Sequence, residues 1–489
     1  MTSNPGSQAL PPQTASPKPK SVVVAFLTYV GMGLLATMLL LGGKLLFESS
    51  SGGIRAERIA IEILQKQLPP FDPKKELPVV VIDIGQQPGG TATTATSRAY
   101  LKSIVGALVE RGPSAIAIDE DFSTNGTGWV TDDDADFLAF CLRMKQKGVP
   151  VFLGVHDGRA GGPESWLGLP ENKEMAVALL GPRGDPSRMP LWIQYPNVNE
   201  KLPSLSSALA REYLKSAPAA RPKPPSWLSW AVSLTPDNTA GLERHVIEDR
   251  SEYQLAETLV NYSKLELLQK LTLPTVNPDF IAHSQEMFRD KMVLIGAASY
   301  ATDASNVPGR DHTVPGVFLH ACTAYTLARE PLYEFESSVR VFVDLIISFL
   351  VLLALAILRS IHLKRGQQFP LHQWHRRIIW PMVAVVIVAG ISLVRWGHVM
   401  WLDFFLVIAA LLMHPNVEHA AKLIGKSLWG KLSTAFHPPQ PAGGQPEQVT
   451  GSVAPSAVVA PQGEVNAAKP ASGNDSQPKP QLAEHGETV

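Results

Sequence analysis

Cysteine is nearly absent. The 489 residues hold only Cys141 and Cys322, so neither a disulfide framework nor a thiolate zinc site organises the chain. The two could pair only if both lay outside the cytoplasm; two free, buried thiols are the simpler reading. An excess of charge of either sign is also missing. The net charge is −1, which removes the bulk attraction on which nucleic-acid binding rests, and no nucleic-acid partner is expected. Common enzyme signatures are missing too: there is no G-x-S-x-G, no H-E-x-x-H and no G-x-x-x-x-G-K-[ST]. Gly425-Lys426-Ser427 imitates the end of the last, but Ala420 stands where its first glycine belongs. Asn125-Gly126-Thr127 fits the glycosylation pattern, which is common by chance. The expectation is a protein that is not an enzyme and holds no cofactor.

What the chain does have is segregated hydrophobicity. Residues 1–20 are rich in Pro, Ser, Gln and Thr and cannot build a core. No residue from 21 to 43 is charged, and the run meets the ~20 residues needed to cross a bilayer. A cleaved signal peptide has a shorter apolar region, roughly 7–15 residues, and a small-residue cleavage site. Met38-Leu39-Leu40-Leu41 continues the run with no such site, which favours an uncleaved anchor. Three further apolar stretches predict membrane helices over 339–359, 378–395 and 398–414. The last two are joined only by Arg395-Trp396-Gly397-His398, as a tight hairpin. Arg359, Lys364, Arg365, Arg376 and Arg377 load the 360–377 loop, and Lys422, Lys426 and Lys431 follow the hairpin. The positive-inside rule puts that loop and both tails in the cytoplasm. Residues 44–338 then face outward, periplasmic in a double-membrane bacterium. The tail 415–489, rich in Pro, Ala and Gly, reads as disordered.

Between the first and second apolar runs lies an α/β pattern. Residues 54–68 form an amphipathic helix leaving the membrane. Pro78-Val79-Val80-Val81-Ile82-Asp83 is a short apolar run ending in a carboxylate; a helix over 99–111 follows. Ala115-Ile116-Ala117-Ile118 then ends in Asp119, a helix covers 133–147, and a third run spans 149–154. Strand, helix, strand, helix, strand predicts a mostly parallel sheet with helices on both faces, and continuous hydrophobicity suits strands covered on both sides. Residues 156–245 are Pro- and Gly-richer, with a strand at 191–195 and a helix at 205–214. Residues 255–262 read as strand or helix. Lys291-Met292-Val293-Leu294-Ile295-Gly296 is a buried strand, and a helix starts near Pro315-Gly316.

The chemistry-bearing residues sit at strand ends. Asp83 and Asp119 close two parallel strands, on the edge where open α/β sheets bind ligands, and Glu120 and Asp121 add oxygens. A hard cation is one occupant of such a cluster; capping the following helices and loop amides is the other use. Asp132-Asp133-Asp134 suits a helix N-terminus. Arg98 starts the first helix and pairs with Asp83, Asp119 or an anionic ligand. Asp303 and His320 flank the loop after the strong strand, to contact a ligand or to pin that loop. A second group lies at one membrane level. Arg340, Asp344, Arg395 and Asp403, with His398 near them, are costly there unless paired. They form a candidate network tying the membrane bundle to the outer domain; interfacial snorkelling is the alternative.

The order of parts, one span, a large outer α/β domain and three closing spans, resembles the type-two CHASE sensory extracellular domain (CHASE2). Val79-Val80-Val81-Ile82-Asp83 looks like that family's first strand, and Ser97-Arg98 like the start of its first helix. Ala115 to Asp119 with Phe122, then Asp134, Asp136 and Leu138, resemble its second strand and second helix. Lys291 to Gly296, Asp303, Pro308, Pro315-Gly316-Val317 and His320-Ala321 are the most similar series. The aromatic-rich turn before the arginine is absent, and Gly85 stands where a second acid often lies. The resemblance, over roughly 55–415, implies a bacterial inner-membrane sensor that binds an extracytoplasmic small ligand or protein. Such modules usually lead into a kinase or cyclase; no catalytic output domain fits in 415–489, which implies a separate cytoplasmic effector. A homodimer along the first helix is also implied. A scaffold subunit of an envelope complex is the reading from a second class, and a metal-dependent extracytoplasmic hydrolase a third.

Overall fold

The computed structural model describes residues 50–68, 77–85, 96–123, 133–155, 170–179, 181–182, 186–194, 201–217, 223–234, 246–248, 251–274, 276–299, 304–364 and 371–404, with short pieces between 30 and 47 and between 407 and 413. In chain order the principal elements are α1 (Ser51–Gln65), β1 (Val79–Asp83), α2 (Arg98–Val109), β2 (Ala115–Asp121), α3 (Asp134–Gln146), β3 (Val151–Val155), β4 (Ala176–Ala178) and β5 (Arg188–Gln194). They continue with α4 (Leu205–Ser216), β6 (Ser251–Leu259), α5 (Leu265–Lys270), β7 (Leu273–Pro274), α6 (Pro278–His283), β8 (Met292–Gly296) and α7 (Gly316–Ala328). Last come β9 (Tyr333–Phe335), α8 (Ser337–Lys364), α9 (Leu371–Gly397) and β10 (Val399–Met400).

A run such as Val79 to Asp83 puts apolar side chains on both sides of the pleat, so it is stable only between two layers. The fold supplies them. Six parallel strands run in the order β7-β1-β8-β2-β3-β4. Val80, Ile82, Ile116, Ile118, Val293 and Ile295 face one core with α2, α3 and α6. Val79, Val81, Ala115, Ala117, Met292 and Leu294 face the other with α4 and α7. The parallel sheet with helices on both faces is thus present. Cys141 on α3 and Cys322 on α7 are free and buried in these two opposite cores, which rules out their pairing.

The sequence order hides one decisive placement. β8, late in the chain, inserts between β1 and β2, so Asp83 pairs with Gly296 and Gly296 with Asp119. The helix after β8 covers one face, while those after β1 and β2 cover the other. The C-terminal ends of β1, β8 and β2 are therefore switch points, where a sheet opens a crevice.

A smaller antiparallel sheet pairs β5 with β6, with residues 202–203 and 246–248 at its edges. The ambiguous stretch 255–262 resolves as strand to Leu259, followed by a 3-10 turn, Tyr262–Lys264. A third sheet pairs β9 in parallel with β10 and antiparallel with residues 232–233. Its core joins α1 residues Ala60, Ile61 and Leu64 to Val383, Val386 and Val394 of α9 and to Trp401 and Phe404.

Among the described residues one helix, 377–397, is long and apolar enough to cross a membrane by length and composition. The expected span 339–359 lies within the 28-residue α8. The expected spans 21–43 and 398–414 are described only in part. The second needs a correction: it does not begin as helix. His398 takes a positive φ of 52°, and Val399 and Met400 pair with Tyr333 and Glu334 as a strand. The reason is the β9 edge, whose backbone groups need partners and take them from the hairpin turn; His398 also accepts the Tyr333 amide. The tails 1–20 and 415–489 lie outside the described residues.

Gly296 is where the three strand ends come closest. A Cβ there would lie 2.8 Å from Asp119 Cβ and 2.9 Å from Val317 Cγ2. Gly296→Ala is expected to lose roughly 1–3 kcal/mol through overpacking, read as a lower apparent Tm of the full chain in detergent. An unchanged Tm contradicts the close approach.

Candidate functional site

The strand-end residues do come to one edge, but most are already engaged within the chain. Asp83, 6% exposed, accepts from the amides of Gly85 and Ala298, each at 2.8 Å, and from the Ser299 hydroxyl at 2.7 Å. It latches the turn after β1 to the turn after β8, closing the first crevice. Its charge and, first, burial push the Tyr100 hydroxyl above its ordinary pKa. Asp121 accepts from the amide and hydroxyl of Ser123 in a local turn.

Arg98 takes partners other than the expected Asp83 or Asp119. Its Nε donates to Asp134 at 2.5 Å, its Nη1 donates to Glu120 at 3.0 Å, and its guanidinium lies 4.2 Å over the Phe122 ring. The reason is register. The side chain enters the core on the α2–α3 face, where Asp134 opens α3, while Asp83 and Asp119 close their strands nearer the β8 turn. Arg98 and Asp134 are both nearly fully buried, and a charged pair at that depth needs this double satisfaction. Glu120, also bonded by the Thr96 hydroxyl, has its carboxyl raised to about 7; burial raises it more than Arg98 lowers it.

Asp119 and His320 meet across the second crevice. His320 Nε2 lies 3.9 Å from Asp119 Oδ1, and Nδ1 is 3.1 Å from the Ser206 hydroxyl of α4. Burial pulls the His320 pKa down to about 4, so the ring is neutral near pH 7. Nε2 of the neutral ring faces Asp119 and Nδ1 faces the Ser206 hydroxyl. Asp303 lies outside the described residues, as do stretches of the connections after β1, β2, β3 and β8 that continue from this edge. Among the described residues no group of three or more His, Cys, Asp or Glu is placed to hold a metal ion.

The second candidate group is built differently from expectation. Arg340, Asp344 and Asp403 come together, but Arg395 is exposed on the last turn of α9, and the cation at the centre is Lys44. Lys44 pairs with Asp344 and lies 3.3 Å from Asp403; Arg340 is 3.9 Å from Asp403. Lys44, at the end of the first apolar segment, supplies the charge that was expected from Arg395. The group also extends outward. Arg340 donates to Glu334 at 3.1 Å and to the Phe335 carbonyl at 3.0 Å. Glu334, 0% exposed, takes two further bonds from Arg188 at 2.7 and 2.9 Å, and Arg188 reaches Glu57 of α1 at 2.8 Å. Burial alone would lower the Arg188 pKa; Glu334 and Glu57 outweigh it and hold it above its ordinary value. Seven charges thus run Glu57–Arg188–Glu334–Arg340–Asp403–Lys44–Asp344 from the antiparallel sheet to the helix pair. Lys44, Glu57, Arg188 and Glu334 carried no sequence signal beyond their charge. A lysine closing an apolar run was the nearest to one.

Two outcomes follow. The folded protein holds a proton on Glu120 that the unfolded chain releases above its ordinary 4.5. Stability is therefore expected to fall as pH rises from about 4.5 to 7. Glu120→Gln removes that part of the slope in apparent Tm against pH; an identical slope in both proteins refutes the assignment. Glu334→Gln leaves Arg188 and Arg340 under-compensated and is expected to cost on the order of 3–5 kcal/mol, measured as denaturant unfolding in detergent. A loss within the ~0–1 kcal/mol of a surface pair contradicts the buried role.

No curated protein and no solved structure matches the chain significantly. A family model described as the CHASE2 domain matches residues 34–359, about two thirds of the chain. The match begins inside the first apolar run, takes in the parallel sheet, the strand-end residues and every member of the seven-charge chain except Asp403, and ends within α8. CHASE2 is a family of extracellular sensor domains, and this chain belongs to it.

Proposed function

We propose that this protein is a multi-pass membrane sensor or regulatory subunit. Its α/β domain takes a small ligand or a protein partner at the C-terminal edge of the parallel sheet, outside the cytoplasm. The change passes to the membrane helices and on to a separate cytoplasmic effector. It is not an enzyme in this reading, and both tails lie in the cytoplasm. The observation that carries it is the chain of seven charges, with Arg188, Glu334, Asp344 and Asp403 buried, linking α1 and the antiparallel sheet to Lys44, Asp344 and Asp403. Buried ionic chains hold discrete arrangements rather than sliding continuously, so a shift at one end is felt at the other. The edge at which ligand binding is proposed is joined to this chain through β4, whose Ala178 bridges to Ser204 beside β5.

The membrane reading has its own support. α9 exposes Val385, Ile387 and Val388, and α8 exposes Phe342, Phe349 and Leu350. Apolar faces of this kind suit lipid, whereas a soluble core helix buries them. The scaffold reading is favoured by one observation: Asp83, Arg98 and Asp121 already spend their hydrogen bonds inside the chain.

Thermal-shift screening of the full chain in detergent against metabolites and divalent cations separates the two. A sensor is expected to give at least one compound that raises Tm and slows amide exchange at 333–344. Asp403→Asn should keep the shift in Tm and lose the exchange response. No shift with any compound, together with recovery of a stable membrane partner, selects the scaffold.

A further inference from the structure

Ten tryptophans are unevenly used. Trp192 packs under Lys201 and Trp401 sits in the third core, but Trp227 and Trp230 are 66% and 69% exposed on one short turn. That turn is rigid. Leu228 and Ala231 close it with backbone bonds to Pro225 and Leu228. The Trp230 indole donates to the Trp227 carbonyl at 2.8 Å, and the Ser229 hydroxyl donates to the Ser226 carbonyl at 2.9 Å. Leu228 is buried in the core shared with α9 and β10. Leu228 and Ala231 thus anchor the turn in the core while two indoles remain exposed.

The anchorage places the turn at the end of the membrane-length helix. A Cβ at Gly397, the last residue of α9, would lie 3.6 Å from Pro225. Residues 232–233, which follow the turn directly, pair with β9, and β9 pairs with β10 just past Gly397. Trp396, 78% exposed, lies on the same last turn of α9. Trp380, 56% exposed, lies sixteen residues earlier, roughly 24 Å along the helix at 1.5 Å per residue. That separation approaches the ~30 Å hydrocarbon thickness. Tryptophan is enriched at both membrane–water interfaces, because its ring is apolar and its N–H polar.

We infer that residues 223–231 form a membrane-contact turn, in which Trp227 and Trp230 insert into the lipid interface beside the Trp396 end of α9. The occupant is the bilayer itself. The inference rests on α9 crossing the membrane, and the turn makes the sheet-bearing domain touch the lipid surface at a point separate from its helical tethers. The domain is therefore held at a defined height and tilt over the bilayer, so that movement of its sheets bears on the helix ends.

The buried thiols of Cys141 and Cys322 make the test direct, since a cysteine placed on the surface is the one labelled. Full-length Ser229→Cys and Val388→Cys proteins are labelled with bimane and reconstituted into phosphatidylcholine vesicles. The vesicles carry a nitroxide either shallow or deep on the acyl chain. Position 229 is expected to be quenched severalfold by the shallow nitroxide and shielded from aqueous iodide; position 388 should respond to the deep one. Trp227→Ser/Trp230→Ser should abolish the quenching at 229 and leave 388 unchanged. Iodide access and no lipid quenching at 229, with 388 quenched, overturns the turn proposal and leaves these indoles as a surface for a protein. Absence of lipid quenching at both positions overturns the membrane reading of α9 along with it.

Discussion

Glu334 is a carboxylate with no exposed surface, and it is tolerable only because Arg188 and Arg340 bracket it. Isolated ionised groups at such depth cost many kcal/mol, so the three side chains are obligatory to one another. Arg188 comes from the antiparallel sheet, Glu334 from the strand before α8, and Arg340 from the first turns of α8 itself. No two of these elements can move apart without uncovering a charge. The same logic continues through Asp403 and Lys44, whose partners lie on different apolar segments. Where lipid surrounds the helices, packing gives little preference for one neighbour over another. Ion pairs of this kind specify which helix meets which.

The strand-end edge obeys the opposite rule. It gathers Asp83, Asp119, Glu120, Arg98 and His320 at two switch points, then quiets most of them. Asp83 becomes a latch between loops, Arg98 is consumed by Glu120 and Asp134, and His320 is neutral. Most described side chains at this edge are thus engaged within the chain itself. Its described turns at Gly85 and at Ala298-Ser299 are held by hydrogen bonds to Asp83, the bonds for which a ligand would compete under the proposed function. Glu120 stands apart because burial outweighs its arginine partner.

Membrane contact and charge chain meet at β10. Its pairing with β9 brings Met400 beside Glu334, and Asp403 follows within the same turn. The turn with Trp227 and Trp230 leads into the third strand of that small sheet. Lipid interface, helix ends and sensor domain are thus joined by three short strands rather than by a flexible linker.

The sequence by itself determined the parallel α/β class, because apolar runs of strand length ending in carboxylates between amphipathic helices have no other stable use. It also carried the family resemblance over strand, glycine and proline positions, whereas only the opposite cores of Cys141 and Cys322 decided that they do not pair. It located Arg340, Asp344 and Asp403, since ionisable residues inside apolar runs are conspicuous. Which charges those groups meet was left to tertiary structure. Arg98 turned to Asp134, Lys44 replaced Arg395, and Glu334 and Arg188 looked like ordinary polar residues 146 positions apart. Local patterns report burial and period; they carry no information on which distant elements a late strand such as β8 will separate. Its insertion between β1 and β2 decided the site, because only then do Asp83, Gly296 and Asp119 share one edge.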